Sequence, residues 1–295
     1  MRKLALVLAS LLLQLTSQGA STINFNNNSA WGANIGWTNW LPSAADGVVT
    51  GEYVCSGNIY GANLGWINMG GGSPANHIQY QNNSATDFGV NYTVDPAQPG
   101  VGILRGYAYG ANIGWIKFEA VGNPRISLFT GSLSGSAYSA NCGWINLNDT
   151  SGRVQTDHLA MGADTNNNGI ADAWEYLYFG GLLLPGQENT DPHGTGMTAL
   201  QDYIDGVDPT VANSGLRITA FLSNLGGATW AITFNSNSAR LYSIETNADL
   251  LSPWQPDATF GAPFAPDVGN STTRTVTSSG APKDFYRVKT MRPLP

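Results

Sequence analysis

Three stretches of this chain carry one hydrophobic rhythm: Trp66-Ile67-Asn68-Met69, Trp115-Ile116-Lys117-Phe118 and Trp144-Ile145-Asn146-Leu147. In an extended chain the Ile and the apolar fourth residue share one face, and Trp shares the other with Asn or Lys. One face is therefore core. Each stretch follows a Tyr and an Ala-Asn-x-Gly turn, in Tyr60-Gly61-Ala62-Asn63-Leu64-Gly65, Tyr109-Gly110-Ala111-Asn112-Ile113-Gly114 and Tyr138-Ser139-Ala140-Asn141-Cys142-Gly143. A fourth, earlier copy reads Trp31-Gly32-Ala33-Asn34-Ile35-Gly36-Trp37. The pattern predicts four β-hairpins, with Asn and Gly taking the left-handed conformation in each turn. Their tryptophans lie 29, 49 and 29 residues apart, so a duplicated pair is interrupted by an insertion around Asn82 to Gly100.

A second alternating region begins near Leu216. Arg217–Phe221, Thr229–Phe234, Leu241–Thr246, Thr273–Thr277 and Phe285–Val288 are strand-sized runs separated by Gly, Pro and Asn, the pattern of a small sandwich. Between the two β regions the rhythm becomes helical. Trp174, Leu177 and Tyr178 repeat at i, i+3, i+4, as do Leu200, Tyr203 and Ile204, which gives two short helices whose apolar stripes are expected to pack on each other.

Each helix follows a loop of oxygen-bearing residues. Asp164-Thr165-Asn166-Asn167-Asn168-Gly169-Ile170-Ala171-Asp172-Ala173-Trp174-Glu175 fits the twelve-residue calcium-loop template at every fixed position. Asp164, Asn166 and Asn168 would converge on one Ca2+ ion, with the Ile170 carbonyl, Asp172 directly or through water, and a bidentate Glu175 completing the shell. A poorer copy runs from Asp191 to Asp202, where Asp191, His193, Thr195, the Met197 carbonyl and Asp202 hold the ligand positions. His193 replaces an oxygen ligand, Ala199 offers nothing at position nine, and Asp202 is shorter than the expected Glu. This loop either binds calcium weakly or keeps the shape without the ion, and its imidazole leaves a transition metal as a further option.

The stretch from Asp164 to Thr210 resembles the calcium-binding segments of dockerin or thrombospondin type 3 kind, and its loop-then-helix order is closer to a dockerin than to calmodulin. The resemblance to a dockerin raises docking onto a cohesin-type protein as an open question, with an extracellular polysaccharide or a cell-surface protein as the candidate partners. The Ala-Asn-x-Gly-Trp-Ile copies resemble β repeats of secreted bacterial proteins, and the C-terminal strands resemble fibronectin-like or immunoglobulin-like modules. The expected architecture is mainly β: a leader over 1–20, a β-hairpin repeat domain over 21–157, a short helical calcium segment over 158–212 and a small β-sandwich over 213–295.

Arg2 and Lys3 precede the apolar run Leu4 to Leu15, with small residues up to Ala20, the form of a secretory signal peptide too short to anchor a mature protein. Export is expected, with no membrane span in the mature chain. Loss of Arg2 and Lys3 takes the formal charge from -7 to -9, and a chain this acidic without a basic cluster is a poor partner for nucleic acid. In an oxidising compartment Cys55 and Cys142 form either one disulfide or two buried thiols.

The Trp face of the repeat is open to three readings, of which a structural aromatic ladder along the strands is one. Tyr60, Trp66, Tyr109, Trp115, Tyr138 and Trp144 form that ladder, or a second buried layer, or a solvent-facing strip that stacks on sugar rings of an extracellular polysaccharide. Enzyme motifs are missing: the three histidines, His77, His158 and His193, stand apart from both cysteines, and no nucleophile elbow or phosphate loop appears. Carboxylates Asp46, Glu52, Asp87, Asp95 and Glu119 are scattered, so a polysaccharide hydrolase is the weakest alternative. The leading expectation is a secreted, non-enzymatic calcium-binding protein of structural or adhesive role, followed by a carbohydrate-binding module.

Overall fold

The computed structural model describes residues 20–223, 229–278 and 284–294, so the leader expected over 1–20 lies, but for Ala20, outside the described residues. The chain is mainly β, 42% strand and 7% helix, with an eight-stranded barrel and small sheets. The repeat region contains β1 (Ile23–Gly32), β2 (Gly36–Asn39), β3 (Val49–Thr50), β4 (Cys55–Gly61), β5 (Gly65–Gly71), β6 (Val90–Val94) and β7 (Val101–Gly110). It continues with β8 (Gly114–Phe118), β9 (Arg125–Ser127), β10 (Leu133–Ser134), β11 (Ser136–Ser139), β12 (Gly143–Asn146) and β13 (Val154–Thr156).

Every sequence repeat is one hairpin of the barrel: β1–β2, β4–β5, β7–β8 and β11–β12. Neighbouring hairpins pair in chain order, and β12 closes back on β1. At each step between hairpins the register advances two residues: Trp37 faces Trp31 while Asn39 faces Tyr60, and Trp66 faces Tyr60 while Asn68 faces Tyr109. Lys117 facing Tyr138 and Asn146 facing Trp31 complete the circuit. That stagger tilts the strands and closes the sheet.

The inward face is the one the alternation marks. Ile67, Met69, Ile116, Phe118, Ile145 and Leu147 are all buried, facing Ile59, Ala108 and Ala137. In the first hairpin Thr38 and Trp40 take the Ile and fourth-residue positions, which places Trp40 at 2% exposure inside the barrel. Below them Ile35, Leu64, Ile113 and Cys142, the variable turn residues, plug one end.

The turns differ from expectation in one respect. The second Gly of each is left-handed, with φ of 77°, 74°, 71° and 79° at Gly36, Gly65, Gly114 and Gly143, but none of the four Asn has positive φ. Asn acts through its amide instead: Asn63 donates to the Ile35 carbonyl, Asn112 to Leu64, Asn141 to Ile113 and Asn34 to Cys142, at 2.9 to 3.1 Å. Each turn is tied to the preceding one, and the last to the first.

Cys55 and Cys142 are free, buried thiols, not a disulfide. Cys142 sits in a turn plugging the barrel end, whereas Cys55 begins β4, six residues from its own turn at Gly61, which at ~3.3 Å per residue is about 20 Å along the strand. No bond can span that separation.

The insertion adds β6, which pairs with the lower half of β7 outside the hairpin set. Leu159 still belongs to the barrel core. Beyond it lie α1 (Asp172–Phe179) and α2 (Ala199–Asp205); among the described residues β13 is the last regular element before the first loop, whereas a single 3-10 turn, Gln187–Asn189, leads into the second. The expected stripe contact is only partly made. Trp174 meets Tyr203 at 5.7 Å, but Leu177 and Ile204 face outward, because Ile170, Ala171, Leu183 and Ala199 fill the small core that the helices share. The chain ends in β14 (Ile218–Ser223), β15 (Thr229–Asn235), β16 (Leu241–Asn247), β17 (Gln255–Pro256), β18 (Ser271–Thr277) and β19 (Phe285–Met291). They form two three-stranded antiparallel sheets, β14-β15-β18 and β17-β16-β19, with Ile232, Phe234 and Val276 of one packed against Tyr242 and Ile244 of the other.

Candidate functional site

The repeat aromatics face out. Trp31, Trp37, Tyr60, Trp66, Tyr109, Trp115, Tyr138 and Trp144 are between 36% and 52% exposed, which removes the reading of a second buried layer. The reason is geometric: a closed barrel has one inside, and its alternating inward positions are already filled by Ile, Ala and the fourth residues. Each hairpin presents a directly opposed cross-strand pair with ring centroids 4.9 to 5.1 Å apart. Together they form a belt near the end closed by the turns.

Beside each pair stands a polar donor. Asn39, Asn68 and Asn146 accept the backbone N–H two residues on, from Leu41, Gly70 and Asn148, which fixes each amide with its NH2 group free of partners among the described residues. Lys117 holds the equivalent place in the third hairpin and pairs with Glu119 at 3.5 Å. Flat apolar faces flanked by fixed donors can stack on a pyranose ring and bond its hydroxyls.

Both helical loops gather oxygens. In the first, Asp164 accepts the backbone N–H groups of Asn168 and Gly169, each at 3.0 Å. The side-chain amides of Asn166 and Asn168 donate to Oε1 of the fully buried Glu175 at 3.0 and 2.8 Å, so these ligand positions share one centre. Asn166 Oδ1 is buried there with no partner. Asp172 begins α1 and accepts the Thr165 N–H at 2.8 Å, and Ile170 is buried behind the loop.

In the second loop the Thr195 hydroxyl lies 3.2 Å from Asp191 Oδ1, 3.4 Å from Asp202 Oδ2 and 3.5 Å from the Met197 carbonyl. Positions one, five, seven and twelve are thus together. Position three is not: His193 stacks on Phe179 at 5.1 Å, which withdraws the imidazole from the cluster and with it the transition-metal option. Asp202 Oδ1 is buried and unpartnered, and its carboxyl is pushed up to about 6 by burial, reinforced by Asp191, Asp205 and Asp208.

The donor sets fit a hard cation. Each centre leaves one buried oxygen unsatisfied, Asn166 Oδ1 in the first and Asp202 Oδ1 in the second, which is costly unless something binds it. In the first, the Asn166 and Asn168 amides turn their NH2 groups to Glu175 and Asn168 Oδ1 accepts the Ile170 N–H, so an ion there would require both amides to turn over. Among the described residues no group of three or more His, Cys, Asp or Glu side chains assembles for a metal.

The carboxylates weighed for hydrolysis are engaged elsewhere. Asp95 pairs with Arg125, Glu52 with Arg292, and buried Asp87 accepts the N–H groups of Ala75 and Gln81. Three features escaped the sequence: the ring of turn amides, the seating of Phe88 against Trp115 at 5.1 Å, and a clamp around Tyr203. The Tyr203 hydroxyl donates to Glu52 at 3.0 Å, while buried Arg240 donates to the Tyr203 and Ile204 carbonyls at the end of α2. The exposed side of the Trp strand was legible only as one of several options, since periodicity gives faces and not which of them is wet. No family model, no curated protein and no solved structure matches this chain.

Proposed function

We propose that this is a secreted, non-enzymatic adhesive protein that binds extracellular polysaccharide through the aromatic belt of its barrel. The observation that carries the reading is the outward exposure of four cross-strand aromatic pairs, each beside a fixed amide or ammonium donor. Repetition supports it. Weak stacking sites linked on one rigid frame add through effective concentration, the way a polymer with repeating units is retained. The test is retention of the mature protein on insoluble polysaccharides. Retention that disappears when Trp37, Trp66, Trp115 and Trp144 are all replaced by Ala, with the fold intact by circular dichroism, supports the reading; equal retention of that variant removes it.

Calcium has a supporting role in this proposal. Asp164, Asn166, Asn168, the Ile170 carbonyl, Asp172 and Glu175 would hold one ion, and Asp191, Thr195, the Met197 carbonyl and Asp202 a second. The ion would supply the positive charge these buried oxygens lack and fix the two helices. Binding to the native state alone adds about 1.4 kcal/mol at free calcium ten times Kd. A melting curve unchanged by EGTA would sink this part of the proposal.

A further inference from the structure

The insertion that breaks the repeat spacing builds something the other three hairpins lack. Residues 82–88 fold as a tight loop, with Asn82 at φ 56°, an Asn82 N–H to Asp87 carbonyl bond of 3.0 Å, and the buried Asp87 carboxylate tying the loop to Ala75 and Gln81. The loop delivers Phe88 edge-on to the Trp115 ring at 5.1 Å, and Tyr107 meets the same ring at 6.0 Å. Between loop and barrel lies a cavity of about 390 Å³ walled by Phe88, Tyr107 and Trp115 and rimmed by Asn82, Asn83, Ser84 and Lys117. Among the described residues, only this hairpin adds two rings to its aromatic pair.

Lys117 also lines a second hollow of about 210 Å³, bounded by Glu119, Val121, Gly122, Tyr138 and Trp144. The two share that side chain as a common wall, so they form one track from the third hairpin to the fourth. We infer that this track is the principal polysaccharide subsite of the barrel, taking pyranose units two apart along a neutral chain, one against Trp115 and the other against Trp144, which stand two strand spacings apart. The inference rests on the polysaccharide reading above and says where on the belt affinity is concentrated. Neutrality follows from charge balance: the Lys117 ammonium is paired with Glu119 at 3.5 Å, leaving the track without net charge to attract a uronate. Asn83 and Ser84 supply the polar rim that ring hydroxyls need, and the Asn83 side chain is exposed.

The experiment is titration calorimetry of the full mature chain, at constant calcium, with cellohexaose and mannohexaose as neutral probes and hexagalacturonate as the anionic one. A neutral hexaose should bind. Phe88→Ala and Trp115→Ala should each weaken it about tenfold or more, while Trp66→Ala, on a hairpin without the insertion, should weaken it less than about threefold. Because Phe88 is half-buried, Asn83→Ala serves as the variant that leaves packing untouched; it should lower affinity about threefold with Tm unchanged. Equal losses at Trp66 and Trp115 would overturn the track while leaving the belt as the binding surface. Preference for hexagalacturonate would overturn the neutral assignment, and failure of every probe together with failure to be retained on insoluble polysaccharide would remove both readings.

Discussion

Asn63 carries more of the architecture than its place in a turn suggests. Its amide spans to the preceding hairpin, so Asn63→Ala should cost about 1 kcal/mol, the usual net value of one hydrogen bond, whereas Asn63→Asp sets a carboxylate against the Ile35 carbonyl and should cost more. Urea midpoints of the two variants check the order. Tryptophans divide in the same way. Trp40→Ala empties a site inside the barrel and should cost about 3 to 5 kcal/mol, while Trp66→Ala, half exposed, should cost under about 1 kcal/mol. A Trp66→Ala variant as unstable as Trp40→Ala would return the belt to a structural role.

Hairpins were the most legible elements, because Ile67, Ile116 and Ile145 repeat with period two and Gly65, Gly114 and Gly143 mark the turns at fixed distance. Trp40 was not legible: its copy has Thr38 in the Ile position, and the pattern fades before the fourth residue. Closure was invisible for another reason, since pairing of β12 with β1 joins residues more than a hundred positions apart and no local periodicity reports it. The helices are seven and eight residues long, too short to stand alone, so their loops must be held by other means. In the second, Thr198 and Gln201 form a reciprocal cap that keeps α2 in place without an ion; α1 has no side-chain cap. The two loops should therefore respond unequally, with calcium titration showing one dominant site that is lost in Asp164→Ala. His193→Asp with Asp202→Glu should strengthen the weaker event, whereas Ala199, fully buried in the helix core, cannot usefully become a ligand. Two equal events in the unmodified protein would contradict this.

Acid response belongs to the elements as well. The Arg125 guanidinium holds the Asp95 carboxyl below its ordinary value of 3.8, tying the loop after β6 to β9. A depressed carboxyl stabilises the fold above the unfolded value and loses that contribution as pH falls through the folded one. Asp95→Asn should flatten the acid limb of the barrel's stability curve below about pH 4 and leave the neutral limb offset by a constant. An unchanged acid limb would assign that response to other groups.

At the scale of the whole molecule, one residue joins three regions. Tyr203 follows Asp202 directly, packs on Trp174, donates to Glu52 of the barrel and lies under Arg292 from the chain's end. Glu52 in turn pairs with Arg292, and Arg240 from the C-terminal sheets seals the end of α2. Sequence could not suggest this, since Glu52 and Arg292 stand 240 positions apart. Tyr203→Phe removes only the hydroxyl and should cost about 1 kcal/mol; Glu52→Gln should go further and split the calorimetric melt into separate barrel and C-terminal transitions. A single sharp transition in Glu52→Gln would show that the regions are coupled by other contacts.

The amide ring of the turns has no first member. Asn34 closes it by reaching the Cys142 carbonyl, and the two ends of the barrel segment meet where the Thr156 hydroxyl donates to Thr22 at 2.9 Å. A chain whose ends touch and whose hairpins are equivalent can be cut between any two of them and rejoined at the old ends. Circular permutants of the barrel opened between β2 and β4 or between β8 and β11 therefore keep every turn-to-turn bond, whereas removal of one hairpin leaves the circle broken at two places.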